Sequence, residues 1–248
     1  MDEVVRQAMA RAITTMRDHL GDRLTVDDLA RAAMFSKFHF TRVFLRATGL
    51  SPGRFLSALR LAEAKRLLAT TSISVANVSH QVGYNSVGTF SARFSSSVGL
   101  SPSGYRQTRG LPPRIPERAD QAPSGSTLCG NVRCPYGTAG TVFVGLFPAK
   151  ITEGRPARYA ILSEPGPYAL ADVPPGAWYV IAHTFAAGYD DDRGPRPYTG
   201  LAGPVPVHRG VTAVLADVRL RPRHSFDPPV LLALPDLRPS AVRRPVAV

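Results

Sequence analysis

The sequence predicts a multidomain chain: an all-α double helix-turn-helix domain followed by an all-β sandwich domain. Three observations predict it. Apolar residues recur at helical spacing through residues 1–108, where Pro52 and Pro102 are the only prolines. Within that stretch a helix–turn–helix pattern occurs twice, offset by 49 to 50 residues. After residue 128 the chain turns to short alternating runs broken by Gly and Pro, as in sheets with tight turns.

The helices follow in order. Val5, Met9, Ile13, Met16 and Leu20 fall on one stripe, with Arg6, Arg11 and Arg17 off it, and Gly21 is the expected stop. Thr25 and Asp28 have the spacing of a capping pair for a short helix through Ala33. A further helix is expected from Ser36 to about Thr48, ending at Gly49. Ser51-Pro52 combines an N-cap with a favoured first-turn proline, opening a helix to about Ala69 that buries Leu56, Leu59, Ala64, Leu67 and Leu68. Ser74 opens a short helix ending at Gly83, Ser86 another to Val98, and Ser101-Pro102 the last.

The repeat aligns Leu24–Phe55 with Ile73–Tyr105. Leu29 falls on Val78, Ala33 on Val82 and Phe35 on Tyr84; Phe40 falls on Phe90, Phe44 on Phe94, Gly49 on Gly99, and Ser51-Pro52 on Ser101-Pro102. The one-residue slip sits in the turn, where insertions cost little. Such units reach DNA by laying the second helix in the major groove. Two on one chain can replace a dimer. The connecting helix, Pro52 to Ala69, spans about 27 Å at 1.5 Å per residue, so the helix widths at its ends bring the two readers to about one DNA turn apart.

Charge supports an anionic partner. The formal net charge is +12 on 248 residues, and +8 of it lies in residues 1–110. All but Lys37, Lys65 and Lys150 of the cations are Arg, which with abundant Ala, Gly and Pro indicates a GC-rich bacterial genome. Two Cys exclude a disulfide scaffold, and no apolar run approaches the roughly 20 residues that span a bilayer. The N-terminus, MDEVVRQAMA, is acidic where a signal peptide is basic and apolar. No membrane role is expected, and the expected location is cytoplasmic, at the nucleoid.

The second unit reads Ser79-(x)2-Val82-Gly83-Tyr84-x-Ser86-(x)3-Phe90-(x)3-Phe94-(x)4-Gly99-x-Ser101-Pro102-(x)2-Tyr105-Arg106, and the connecting helix Arg60-Leu61-(x)2-Ala64-(x)2-Leu67-Leu68. Over roughly residues 3–108 this resembles the AraC/XylS family of bacterial transcription regulators. The resemblance implies a seven-helix DNA-binding domain that reads double-stranded promoter DNA, commonly in activators that also contact RNA polymerase. Repression fits the sequence equally well. The resemblance further implies that positions like Phe38, Thr41 and Arg42 face DNA.

Chemistry agrees at the first reader. Lys37 and Arg42 suit phosphates or guanine edges, Thr41 a hydrogen bond or thymine methyl, His39 a donated bond, and Arg46 a phosphate. Ser36 stands at the helix start. Phe40 and Phe44 face the core. The second reader offers Asn85, Ser86, Val87, Thr89 and Ser91, with no cation in its first turns. Family members often carry Arg where Ala92 stands; here Arg93 is one place on, about 100° around the helix. Weaker base readout and more backbone positioning are expected there, with Arg93 also a DNA-binding candidate. The reader also comes first in the chain, whereas the commonest family order places it last.

Residues 1–108 are thus the expected DNA-binding domain, 109–127 a Pro- and Arg-rich linker, 128–235 the β domain and 236–248 a loose tail. Expected strands are Thr141–Phe147, Tyr168–Val173, Trp178–His183, Val211–Leu220 and the apolar run Val230–Leu234. The segment GPYALADVPPGAWYVIAH resembles the prealbumin-like or carboxypeptidase-regulatory-like domain, which implies a sandwich and a scaffold role. The resemblance implies no activity; in the leading reading this domain is expected to bind a small-molecule effector or a protein partner. In the other reading the protein is an effector-independent architectural DNA binder whose β domain serves dimerisation or partner binding.

Catalytic and metal signals are weak. Cys129 and Cys134 are a redox pair or metal clip, or two small strand residues. Asp190-Asp191-Asp192 reads as an exposed loop rather than a cation site, and His183, His208 and His224 lack ligand spacing. Trp178, Tyr179, Tyr168 and Tyr198 line a ligand pocket or fill a core. No G-x-S-x-G, P-loop or GxGxxG is present. No enzyme activity, cofactor or metal is expected.

Overall fold

The computed structural model describes residues 2–112, 115, 125–135, 140–184, 197–208 and 213–234. Most of the expected linker, the expected tail and Asp190-Asp191-Asp192 lie outside the described residues. The chain forms two compact units. The first comprises Met1–Pro112 together with Lys150–Gly154 and His224–Ala233; the second is drawn from Pro113–Ala149, Arg155–Arg223 and Leu234 onward. Each unit therefore takes pieces from more than one stretch of sequence, where the sequence reading drew one continuous block over 128–235.

The first unit contains seven helices: α1 (Glu3–Asp18), α2 (Val26–Ala32), α3 (Lys37–Thr48), α4 (Pro52–Thr70), α5 (Val75–Gln81), α6 (Val87–Val98) and α7 (Pro102–Gln107). Their ends follow local chemistry. Thr25 and Asp28 make a reciprocal capping box at α2, and the Thr25 hydrogen bonds hold the Asp28 carboxyl below its ordinary pKa. Ser51, Ser74, Ser86 and Ser101 each accept from a backbone N–H of the following turn. Gly49 and Gly99 close α3 and α6 in the left-handed conformation, at φ 77° and 88°.

α1 stops earlier than expected. It ends at Asp18 with His19 as C-cap, two residues short of Leu20. Gly21 instead allows a close approach, since a Cβ there would stand 2.9 Å from the Gln81 carbonyl oxygen.

The repeat is also a repeat of packing. Phe40 and Phe44 lie 5.3 Å apart and Phe44 meets Phe55 edge-on at 5.4 Å. Fifty residues on, Phe90 and Phe94 lie 5.6 Å apart and Phe94 meets Tyr105 edge-on at 5.6 Å. Phe40, Phe44, Phe90 and Phe94 are fully buried, as expected for Phe40 and Phe44. Arg60 ties α4 to the segment that follows α1, donating to the Leu20 and Asp22 carbonyls at 2.9 and 2.7 Å.

The second unit is β-rich. Its strands are β1 (Thr127–Arg133), β2 (Val142–Phe147), β3 (Tyr159–Leu162), β4 (Pro167–Leu170), β5 (Gly176–Thr184), β6 (Tyr198–Val207), β7 (Ala213–Leu215), β8 (Val218–Arg219) and β9 (Arg221–Pro222). One sheet runs β4-β1-β7, with β8 also on β1; the other runs β3-β2-β5-β6-β9. Neither closes on itself. One apolar cluster joins both, drawing Leu128 and Val132 from β1, Val142, Val144 and Leu146 from β2, Leu170 from β4, and Val180 and Ala182 from β5. The expected one-sided alternation of β2 is present in that cluster, although the opposite side, with Phe143 and Phe147, is buried too.

Several strands differ from expectation. Of the expected strand Val211–Leu220, residues 211–212 lie outside the described residues, and the rest is not one strand: β7 and β8 pair in parallel with β1 on either side of a break at Ala216-Asp217. Gly130 makes the break fit, because a Cβ there would stand 2.2 Å from the Ala216 carbonyl oxygen. The run Val230–Leu234 forms no strand; Leu231 and Leu232 donate to the Thr152 carbonyl at 2.9 and 3.0 Å within the first unit. β6 was unforeseen, since Gly200, Gly203, Pro204 and Pro206 read as turns. Among the described residues no helix is long and apolar enough to cross a membrane.

Candidate nucleic-acid interface

In each repeat a short helix, a tight turn and a longer helix place the longer helix's N-terminal half outward. The first turn puts Met34 at φ 58° and the second Gly83 at φ 80°. Backbone bonds lock both: Phe35 donates to Ala30 and Tyr84 to Ser79, each at 3.0 Å.

On α3 the exposed stripe is Phe38, Arg42 and Leu45, with half-buried Thr41 beside them. Phe38 is 87% exposed, so it is not a core aromatic, and the burial pattern fits the expected outward position. Thr41 spends its hydroxyl hydrogen on the Lys37 carbonyl at 2.9 Å, leaving its methyl and an oxygen lone pair outward. Lys37 is exposed and paired with Asp27 at 2.8 Å. His39 is exposed and sits edge-on to Phe35, 4.7 Å between ring centroids. Arg42 and Arg46 are exposed, and Ser36 is an exposed N-cap without a side-chain cap bond. Leu45 escaped the sequence reading; its i+7 spacing from Phe38 was the available signal.

On α6 the positions fifty residues later are Gly88, Ser91, Ala92 and Ser95, a stripe without one long side chain. Asn85 and Thr89 are exposed, and Val87 and Ser91 half-buried. Ser86 uses its hydroxyl to accept from the Thr89 N–H at 3.4 Å. Arg93 lies beside Glu153 at 3.3 Å. Its equivalent on α3 is Val43, on the inner flank, which agrees with the expected rotation away from the exposed stripe.

The remaining candidates lie in the β-rich unit. Trp178 is buried and its indole N–H donates to the Pro174 carbonyl at 2.8 Å. Tyr168 is buried and its hydroxyl donates to the Ala216 carbonyl. Both are core groups with structural partners. Tyr198 packs against the same core, and Tyr179 is half-buried on β5. Cys129 and Cys134 are free thiols. Cys134 packs against the core that holds Leu128 and Val132, and strand alternation turns Cys129 to the other face. Among the described residues no three His, Cys, Asp or Glu side chains gather as metal ligands.

These features define a doubled helix-turn-helix unit with two outward helices of unequal chemistry. A helix-turn-helix domain model matches residues 29–108. The MmsAB operon regulatory protein of Pseudomonas aeruginosa is 42% identical over 92 residues, 37% of this chain and 30% of that protein. The HTH-type transcriptional activator AarP of Providencia stuartii is 31% identical over 98 residues, 40% of this chain and 73% of that protein. The DNA-binding domain of AdpA, solved in complex with a target DNA, is 32% identical and covers 40% of this chain and 90% of its own, at a TM-score of 0.39. A transcriptional regulator with an AraC-type DNA-binding domain from Chromobacterium violaceum covers 43% and 96%, at 26% identity and a TM-score of 0.41. The chain belongs to the AraC family of helix-turn-helix transcription regulators, whose named relatives here are regulators rather than enzymes.

Proposed function

We propose that this protein is a sequence-specific transcription regulator, an activator, that reads two successive major grooves of promoter DNA with α3 and α6. The observation that carries the reading is the outward face of α3, with Phe38, Arg42 and Leu45 exposed and Thr41 half-buried beside them, whose counterpart on α6 exposes Gly88 and Ala92 with half-buried Ser91 and Ser95. α4 has 19 residues and so spans about 28 Å, a length that suits one DNA turn between the readers once helix widths are added. Lys37, Phe38, His39, Thr41 and Arg42 then meet bases or phosphates, with Ser36 at the backbone and Arg46 on a flanking phosphate. Asn85, Ser86, Val87, Thr89 and Ser91 approach the second groove, where small side chains give weaker readout.

On this reading the β-rich unit is a two-sheet sandwich of the prealbumin-like kind that binds an effector or a protein partner, and the core shared by its two sheets supports it. RNA polymerase is the partner at the promoter. The test is a footprint of the full chain on the region upstream of its own gene. Protection of two half-sites one helical turn apart is expected; equal binding to random and upstream DNA sinks the assignment.

A further inference from the structure

Glu153 belongs to the helical unit although it follows β2 in sequence. Its side chain is 15% exposed. One carboxylate oxygen accepts from Arg54 Nη2 at 2.6 Å, and the other from Arg93 Nη2 at 3.3 Å and Ser97 Oγ at 3.4 Å. The segment is fixed by its backbone as well. Gly154 donates to the Ser97 carbonyl at 2.6 Å, and Leu231 and Leu232 donate to Thr152. Ala233 in turn donates to the Val98 carbonyl at 2.9 Å, at the end of α6. Lys65 of α4, 7% exposed, donates to the Val230 and Leu232 carbonyls at 2.9 and 3.4 Å.

This arrangement bears on a question the outward helices leave open. α6 has one cation, Arg93, and that cation is turned to the inner flank and held by a carboxylate that it shares with Arg54. A guanidinium engaged by a largely buried carboxylate has part of its charge neutralised and its direction set. We propose that Glu153 is a positioning residue for DNA binding: by holding Arg93 and Arg54 it keeps both guanidiniums off the phosphates, so that α6 approaches DNA on its small polar side chains alone. The inference rests on the DNA-reading assignment of α3 and α6. It makes Glu153 a limiter of sequence-independent affinity, since phosphate contacts add binding without sequence information.

The test uses the full chain and random-sequence duplex DNA, with affinity measured over a range of KCl concentrations. Glu153→Gln removes the charge and keeps the size. It is expected to tighten binding and to steepen the slope of log affinity against log salt by about 0.9 for each arginine that gains a phosphate. Arg93→Ala in the same background should reverse about half of that steepening, if both arginines bind. Arg93→Ala alone should leave the slope at the wild-type value, and this variant keeps the Glu153–Arg54 pair for folding. An unchanged slope in Glu153→Gln overturns the proposal, as does a shallower slope in Arg93→Ala alone, which places Arg93 on a phosphate already. If the wild-type chain binds no DNA, the assignment of α3 and α6 fails and this inference with it; wild-type binding with an unchanged Glu153→Gln slope overturns the role of Glu153 only.

Discussion

Met34 and Gly83 hold the same place in the two turns and the same left-handed backbone, at φ 58° and 80°. Their surroundings differ. Met34 is 78% exposed, whereas a Cβ on Gly83 would stand 2.7 Å from the Leu20 carbonyl oxygen and 2.8 Å from Arg60. The first turn therefore carries a backbone penalty of about 1–2 kcal/mol that the second avoids. Met34→Gly is expected to stabilise the protein by about 0.5–1 kcal/mol, after the extra freedom of glycine in the unfolded chain is subtracted. Gly83→Ala should destabilise by about 2 kcal/mol or more, since strain and contact add. Urea unfolding of both variants checks the pair, and equal effects of one sign contradict it.

The two outward helices should respond differently to substitution. Arg42→Ala is expected to weaken binding to the upstream site and to lower the salt slope by about 1 if it meets a phosphate, or to relax specificity by about 1–3 kcal/mol if it meets a guanine. Thr89→Ala and Ser91→Ala should each do less. Ala92→Arg places a cation on the exposed stripe of α6 and should tighten binding. Titrations with specific and scrambled duplexes separate these effects; a loss in Thr89→Ala equal to that in Arg42→Ala shows the readers to be equivalent.

Tyr168 should govern stability at alkaline pH. Its buried hydroxyl donates to the Ala216 carbonyl, and desolvation, then the nearby charges of Asp217 and Cys129, push its pKa well above the ordinary value of 10.0. The folded state thus favours the protonated phenol. That stabilisation is fully present below pH 10 and falls as pH rises beyond it. Tyr168→Phe should cost about 1–3 kcal/mol at neutral pH by leaving the carbonyl without its donor, and should flatten the alkaline limb. Thermal melts from pH 7 to about 11 read both effects.

Gly130 sits where the first β-sheet breaks. Gly130→Ala forces a methyl against the Ala216 carbonyl and is expected to destabilise the β-rich unit by about 3 kcal/mol. Near-ultraviolet circular dichroism of Trp178, the only tryptophan, reports on that unit. A melting temperature unchanged from wild type contradicts the packing.

The helical unit was legible because its signals are local. Caps at Thr25, Ser51 and Ser101 and glycine stops at Gly49 and Gly99 are written within a turn of where they act. The outward placing of Phe38 and Arg42 on α3 was legible too, although Leu45 one turn on was missed. The β-rich unit was less legible because its ties are long-range. β1 pairs in parallel with β7 across more than eighty residues, and no spacing in the sequence marks it. β6 hides its pairing under glycines and prolines that normally signal turns; its prolines lie beyond the short stretch paired with β9. Glu153 gave no signal at all, since its partners Arg54 and Arg93 are 99 and 60 residues away.

The interleaving of the units changes the order in which the protein can be finished. Lys65 finds its carbonyl partners 165 and 167 residues further along the chain. During synthesis α4 leaves the ribosome long before Val230 and Leu232 are added, so these bonds form late. A fragment ended within the Pro-rich stretch after residue 110 is thus arrested at that early stage, with both the Glu153 clasp and the Lys65 anchor missing.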